Sequence, residues 1–223
     1  MPEPRVILEA VVETADAAAA AEEAGAARLE LCVNVREGGI TPPPRVIDAV
    51  VSRVSIPIIV MIRPRAGDFL HTADEVSMAL RQIDDVRDRG VAGLVLGVLR
   101  RDHSVDVEVT RRLVGQGRGL PVTFHRAFDA APDLLVALDA LIAAGVTRVL
   151  TSGGAPSAGE GIAALAKLVT RAGDRLTVMP GGGVRAHNVA EIVAGSGARE
   201  VHARFETRDQ MRAIADRLRD GNL

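Results

Sequence analysis

The feature that most constrains this chain is a strand-like run followed by a helix-like run, which recurs eight times along its 223 residues. Short apolar runs that alternate with segments of helical spacing are typical of α/β proteins. The units follow one another at intervals of roughly 22 to 35 residues, which suit right-handed connections between parallel strands. Eight such units predict a single-domain (β/α)8 barrel, a TIM barrel, over residues 1–223.

The limits of the units follow from apolar runs, capping residues and glycines. The pattern predicts strands over residues 6–12, 28–32, 57–62, 93–97, 121–125, 148–151, 176–180 and 200–202. It predicts helices over residues 14–25, 43–53, 72–89, 106–115, 132–144, 157–172, 186–194 and 207–220.

A doubly wound parallel sheet is the alternative fold, because it uses the same alternating units. Its phosphate-binding fingerprint G-x-G-x-x-G would follow the first strand, where this chain reads VVETADAAAA. Polar residues also occur on many strands here, instead of at one switch point of the sheet. The barrel is therefore the preferred prediction.

Composition excludes several classes of function. The formal net charge is -2, Trp and Tyr are absent and only four Phe are present. A basic surface and stacking platforms are thus missing, and we expect no nucleic-acid partner. No apolar run is long enough for a signal peptide or a membrane span, so we expect a cytoplasmic protein without a membrane partner. The only lysine, Lys167, falls in a helical pattern, which leaves no clear candidate for a Schiff base.

Alternation along the strands places polar and sulfur-containing side chains inside the barrel, whose active face is formed by the strand C-terminal ends. These inward side chains are Glu9, Glu30, Cys32, Met61, Arg63, Thr123, His125 and His202. The candidates for catalysis are Glu9, Glu30, Arg63, His125 and His202. Because a buried carboxylate needs a partner, we expect Arg63 to form a two-pronged salt bridge with Glu9 or Glu30. The alternative is a satisfied polar plug that fills the barrel.

The loops after the third, fifth, sixth and seventh strands add candidates for anion binding. Arg65 lies near Asp68 and Arg126 near Asp129, which indicates either an anion-binding rim or ion pairs that order the loops. The later loops read TSGGAPS and PGGGV, and their glycines would let backbone N–H groups approach a phosphate. The candidates are Gly153, Gly154, Gly181, Gly182 and Gly183. These glycines would equally serve to close tight turns.

Cys32 is the only cysteine of the chain. Its thiolate is a soft ligand that suits Cu(I), and Met61 lies near its level on the next predicted strand. No C-x-x-C motif or methionine cluster accompanies the pair. The alternative is that Cys32 is a small buried core residue.

Five segments together resemble the CutC family, which is named for copper homeostasis. They are ELCVNVREGGITP, VMIRPRAGDF, LPVTFHRAFD, RVLTSGG and VMPGGGV. The resemblance implies a cytoplasmic (β/α)8 barrel that forms homodimers or larger homo-oligomers. It also implies a relation to copper tolerance and Cu(I) binding, in which the cysteine after the second strand, here Cys32, takes part.

Two functions are therefore predicted. The resemblance predicts a copper-homeostasis protein that binds Cu(I) through Cys32 with help from Met61 or a histidine. The residues themselves predict an enzyme that acts on a small phosphorylated or carboxylated metabolite. In that enzyme the glycine loops and Arg63 hold the anion, and His125 and Glu30 transfer a proton, because histidine titrates near neutral pH and a buried glutamate can approach it.

Overall fold

The computed structural model describes residues 6–220. The strands are β1 (Ile7–Val12), β2 (Arg28–Leu31), β3 (Ile58–Met61), β4 (Gly93–Leu96), β5 (Val122–Phe124), β6 (Arg148–Thr151), β7 (Thr177–Pro180) and β8 (Glu200–Arg204). The helices are α1 (Ala15–Glu23), α2 (Pro44–Val51), α3 (Ala73–Arg87), α4 (Val107–Gln116), α5 (Leu134–Ala144), α6 (Ile162–Ala172), α7 (Val189–Ser196) and α8 (Arg208–Asp220). The prediction of one domain over 1–223 includes residues 1–5 and 221–223, which lie outside the described part.

All eight strands are parallel and form one nearly closed barrel, which confirms the predicted fold. Backbone pairing runs from β8 through β1 and then in chain order to β7. The barrel closes where β7 lies beside β8, and no strand pairing joins these two strands within the described residues. We call this contact the seam. No helix among the described residues is long and apolar enough to cross a membrane.

Local chemistry explains most helix limits. The Thr72 hydroxyl accepts the N–H of Glu75, and the Glu75 carboxylate accepts the N–H of Thr72, so α3 begins with a complete capping box. Helix α5 ends at Gly145, whose φ of 82° is the left-handed conformation that favours glycine. Local signals of this kind made the unit order readable from the sequence.

The predicted start of the sixth helix at Ser157 is wrong by five residues, because α6 begins at Ile162. The preceding segment folds back on the barrel, where the Ala158 N–H donates to the Gly182 carbonyl at 2.8 Å. Gly161 then approaches the Ser152 carbonyl so closely that a Cβ atom would lie 1.8 Å from its oxygen. These contacts are long-range, and a local helical pattern does not contain them.

Apolar side chains form two separate clusters. The larger lies between the strands and the helices and includes the outward-facing Leu29 and Leu31. The smaller lies inside the barrel and consists of Val11, Cys32, Ile59, Met61 and Val95. The alternation along each strand thus separates a helix-facing core from a barrel interior, and all the side chains predicted to point inward are buried.

A buried ion network crosses the interior beneath the smaller cluster. Arg28 donates from Nε to Glu9 and from Nη2 to Glu200, each at 2.5 Å, and from Nη2 to the Met179 sulfur at 3.3 Å. Arg148 donates to the same Glu200 carboxylate. The network therefore joins β1, β2, β6 and β7 to β8 and spans the seam that backbone pairing leaves open.

We expect Arg28→Met to lower the free energy of unfolding by about 3 to 5 kcal/mol, because it leaves Glu9 and Glu200 buried with reduced compensation. Urea denaturation would measure the loss. The control is Arg171→Met, which removes an exposed ion pair with Asp139 and should change the free energy of unfolding far less, because solvent screens this pair. Equal losses in the two variants would show that the network contributes no more than a surface pair.

Candidate functional site

A cavity of ≈ 520 Å³ opens at the C-terminal ends of the strands, the end at which barrels of this kind carry their sites. Its inner wall is made by the strand residues Glu30, Met61, Leu150 and His202 and by Cys32, which directly follows β2. Its mouth is made by Arg204 at the end of β8 and by residues that follow other strands, namely Gly39, Arg63, Phe69, His125, Arg126, Gly182, Gly183 and Arg185. The cavity thus brings together most of the residues that the sequence nominated.

His202 and Glu9 form a hydrogen-bonded pair at the cavity floor. The imidazole Nδ1 lies 2.9 Å from a Glu9 carboxylate oxygen, and the two residues are register partners across β8 and β1. Burial alone would raise the pKa of Glu9, but the hydrogen bond from His202 and the charge of Arg28 lower it to about 2. Burial alone would lower the pKa of His202, whereas the hydrogen bond to Glu9 and the charge of Glu30 raise it. Glu9 therefore orients His202 and favours its charged form.

Glu30 behaves differently from Glu9 although both carboxyls are buried. Its Oε2 atom has no hydrogen-bond partner among the described residues. Burial raises the pKa of Glu30 to about 7, and the charge of Glu9 adds to this while His202 and Arg28 oppose it. One carboxylate is thus permanently charged and the other titrates near neutral pH, which suits proton transfer.

His125 stands at the start of the loop after β5, with its ring against Phe69 and Phe124. Its Nδ1 accepts the Ala127 N–H at 3.2 Å, and its Nε2 is buried without a partner among the described residues. Burial, with Arg63 nearby, lowers the pKa of His125 to about 3. The reason for predicting proton transfer here, titration near neutral pH, therefore does not hold.

The predicted salt bridge from Arg63 to Glu9 or Glu30 is wrong. Arg63 donates instead to three backbone carbonyls, those of Glu37, Gly39 and Gly67, at 3.3, 3.1 and 2.6 Å. Arg28 forms the ion pair with Glu9 instead, because these two residues are register partners across β1 and β2. Sequence analysis did not select Arg28. The available signal was that Arg28 lies two residues before Glu30 on the same strand, so both side chains point to the same face.

The cations of the predicted anion-binding rim are paired with carboxylates in the structure. Arg65 donates to Asp68 at 2.8 Å and to Glu75 at 2.5 Å, and it does not line the cavity. Arg126 lines the cavity and also pairs with Asp129 at 2.8 Å. Only Arg126 of this predicted set faces the site.

The two glycine loops differ in what their amides bind. The N–H of Gly154 donates to Asp129 and that of Gly153 to the Thr151 hydroxyl, at 3.0 and 2.8 Å. The Asp129 carboxylate thereby occupies the place at which the sequence predicted a bound anion. Gly181 continues the β6 and β7 pairing, with its N–H donating to the Thr151 carbonyl. Gly182 and Gly183 line the cavity, and their φ values are 95° and 75°.

Soft and hard metal ligands lie in different parts of the site. Cys32 and Met61 share the apolar cluster inside the barrel, and burial raises the pKa of the Cys32 thiol far above its usual range. Glu9, Glu30 and His202 place ligand atoms within 4.8 Å of one another, and within residues 6–220 no other group of three does so. The pair of sulfurs suits Cu(I), whereas the carboxylate and imidazole group does not.

Comparison with known proteins identifies the family. The model of the CutC family matches residues 6–207. The chain belongs to the CutC family. A CutC family protein of Caulobacter vibrioides is 44% identical over 201 residues, which cover 90% of this chain and 82% of the relative. The copper homeostasis protein cutC homolog of Mus musculus is 45% identical over 88% of this chain and 72% of its own.

Solved structures agree with this assignment. The CutC structure from Streptococcus agalactiae superposes with a TM-score of 0.84 at 33% identity, and covers 88% of this chain and 97% of that chain. A thiamine phosphate pyrophosphorylase from Pyrococcus furiosus gives a TM-score of 0.67 at 12% identity, with 97% of both chains covered. The second likeness shows the barrel fold alone. The resemblance of the five segments to CutC is therefore confirmed over nearly the whole chain.

The raised pKa of Glu30 predicts how stability depends on pH. The contribution of Glu30 to stability is complete below pH 4.5 and is lost as the pH rises through about 7, because the charged form is buried and its Oε2 has no partner among the described residues. Glu30→Gln does not titrate, so its stability relative to wild type should rise by about 3 kcal/mol between pH 4.5 and about pH 8. Urea denaturation across this range would measure it. The exposed Glu108→Gln serves as the control variant, and a difference for Glu30→Gln that stays constant with pH would contradict the assignment.

Proposed function

We propose that the cavity binds a small organic molecule with a phosphate or carboxylate group, and that Glu30 and His202 exchange a proton with it. One observation carries the proposal: Glu30 Oε2, His125 Nε2 and Arg63 Nε are buried without partners among residues 6–220, and all three residues line the same cavity. Unpaired buried polar atoms are costly and uncommon in native proteins, so a ligand that satisfies them gains binding energy at all three.

The anionic end of the ligand fits the loop after β7. The amides of Gly182 and Gly183 donate to no acceptor among the described residues, and both residues line the cavity. Arg126 lies beside them, since a Cβ atom on Gly182 would be 3.0 Å from its Nη1. Consecutive N–H groups in left-handed backbone and an adjacent guanidinium are a common setting for phosphate and carboxylate.

The acid–base end lies at the cavity floor. His202 is fixed by Glu9 through one ring nitrogen, while Glu30 presents a free carboxyl oxygen beside it. The pKa values of both groups are raised, which provides a charged imidazole beside a carboxyl that titrates near neutral pH. The proposal therefore assigns proton transfer to Glu30 and His202, and assigns ligand binding to His125 and Arg63.

A second candidate, Cu(I) binding, is favoured by a different observation. Cys32 and Met61 lie in one apolar cluster on the cavity wall, where a thiolate and a thioether suit a soft monovalent ion. The mouse and human relatives carry the name copper homeostasis protein cutC homolog. Copper would be cargo in this proposal, and its binding would release the thiol proton. A cytoplasmic location and assembly into a homodimer or larger homo-oligomer belong to the same proposal.

Anion binding is tested with inorganic phosphate and a set of small phosphorylated and carboxylated acids, followed by thermal shift and calorimetry. We expect stabilisation of the wild type, and a loss of affinity of at least about tenfold in Gly182→Ala, whose Cβ would crowd Arg126. The matched control is Gly119→Ala, which has a similar φ of 94° but has no neighbouring atom within 4 Å and lies outside the cavity. No stabilisation by any anion, or equal affinity in both variants, would reject the proposal.

Cu(I) binding is tested by titration against a competing chelator under reducing, anaerobic conditions. We expect one tight site in the wild type, its loss in Cys32→Ser, and weaker binding in Met61→Leu, because each change removes one sulfur ligand. Cys32→Ala controls for the hydroxyl that serine would bury in the apolar cluster. Wild-type affinity in the serine and alanine variants would leave Cys32 as a core residue.

A further inference from the structure

Resting on the proposed small-molecule function, we propose that His125 Nε2–H and Arg63 Nε–H together hold the negatively charged oxygen of an enolate. The ligands are then carbonyl compounds whose other end carries the anionic group. This goes beyond a general acid–base site, because it names the functional group that reacts and the two donors that recognise it.

The first donor is defined by the tautomer of His125. The backbone N–H of Ala127 donates to Nδ1 at 3.2 Å, so Nδ1 is an acceptor and the ring proton resides on Nε2. The lowered pKa of about 3 keeps this imidazole neutral throughout the physiological range. Nε2 is buried and has no acceptor among the described residues. His125 is thus a fixed hydrogen-bond donor that lines the cavity.

The imidazole has little freedom to move. Gly97 packs directly against it, and a Cβ atom on that glycine would lie 2.4 Å from the ring Cε1. The Phe69 ring lies on another side, with its centroid 5.0 Å from that of the imidazole. A donor held in this way needs no reorganisation when charge develops on its acceptor.

The second donor is the Nε–H group of Arg63. Its Nη1 and Nη2 groups donate to carbonyls in the loops after β2 and β3. Its Nε–H is buried and has no acceptor in the described part of the chain. A free arginine fork would match both oxygens of a carboxylate. A single N–H matches one oxygen instead, which favours a carbonyl or enolate oxygen at this position.

The two residues that supply the donors pack against the same Phe69 ring and line the same cavity. The Arg63 Cζ atom is 4.9 Å from the centroid of the Phe69 ring, against which the imidazole also packs. Arg63 and His125 are only 3% and 5% exposed, so water competes little for their protons. In such an environment paired donors bind a charged oxygen more strongly than a neutral carbonyl.

The step that this arrangement favours is removal of a proton from the carbon next to the carbonyl. The C–H bond breaks, its electron pair forms a C=C bond, and the carbonyl π pair moves onto the oxygen between the two donors. The proton passes to the carboxyl side of the cavity, where Glu30 and His202 lie. In a ligand with a hydroxyl on that carbon, the hydroxyl proton then moves to the enolate oxygen and the proton held on the carboxyl side returns to the former carbonyl carbon. The C=O group has thereby moved by one carbon in an isomerisation, and no external oxidant or reductant is needed.

The experiment compares two probes with the same phosphate, using calorimetry on the full chain. Phosphoglycolohydroxamate carries a planar mimic of an enediolate, whereas phosphoglycolate carries a carboxylate. We expect wild type to prefer the hydroxamate by at least about 100-fold, as mimics of a charged transition state are preferred. His125→Leu should abolish the preference and His125→Gln, which retains an N–H donor, should restore part of it.

Two further readouts do not depend on the stability of these variants. Gly97→Ala should reduce the preference for the hydroxamate, because the added methyl group displaces the imidazole. Gly115→Ala should not, because a Cβ atom added there meets no other side chain or loop within 4 Å. In the wild type, the NMR signal of the His125 Nε2 proton should move downfield when the hydroxamate binds.

The outcomes separate this inference from the proposed function. Binding of inorganic phosphate or phosphoglycolate without a hydroxamate preference would overturn the donor pair alone. An unchanged Nε2 proton signal in the hydroxamate complex would do the same. A wild type that binds none of the three compounds would overturn the anion site and the donor pair together.

Discussion

The structure depends on one buried guanidinium. Arg28 holds two carboxylates, Glu9 on the first strand and Glu200 on the last, within a barrel interior that would otherwise repel both charges. Arg148 adds a second cation on Glu200. Since burial of a charge is tolerated only with such compensation, the strands that carry these side chains must meet at this level. The network therefore acts on barrel closure as well as on charge balance.

The same network determines the chemistry of the layer above it. Because Arg28 keeps Glu9 ionised, Glu9 can hold His202 in one orientation and favour its protonated form. Glu30 lies beside them, no ion pair joins it to a cation within residues 6–220, and burial raises its pKa to about 7. Glu9 lies level with Arg28, and Glu30 lies two residues further along the neighbouring strand. The two glutamates thus differ in charge because only Glu9 contacts Arg28.

Strand alternation made the barrel and its inward side chains predictable, since it depends only on the local period of two. The partner of Glu9 was not predictable in this way, because the choice between Arg28 and Arg63 depends on the register of β1 against β2. The protonation and tautomer of His125 depend on its burial and on the backbone N–H of Ala127. The two glycine loops differ because the Asp129 carboxylate accepts N–H groups of the loop after β6. Each of these facts requires the tertiary structure, and no motif in the sequence encodes it.

The seam between β7 and β8 also bears on the dimensions of the site. Gly182 and Gly183 follow β7 and His202 lies on β8, so the cavity straddles the seam. Elsewhere the strand spacing is held by backbone hydrogen bonds, which sequence changes leave nearly constant. Here it is held by side chains, among them Arg28, Met179 and Glu200. Substitutions in this layer of side chains can therefore change the width of the pocket during evolution without altering any residue that a ligand contacts.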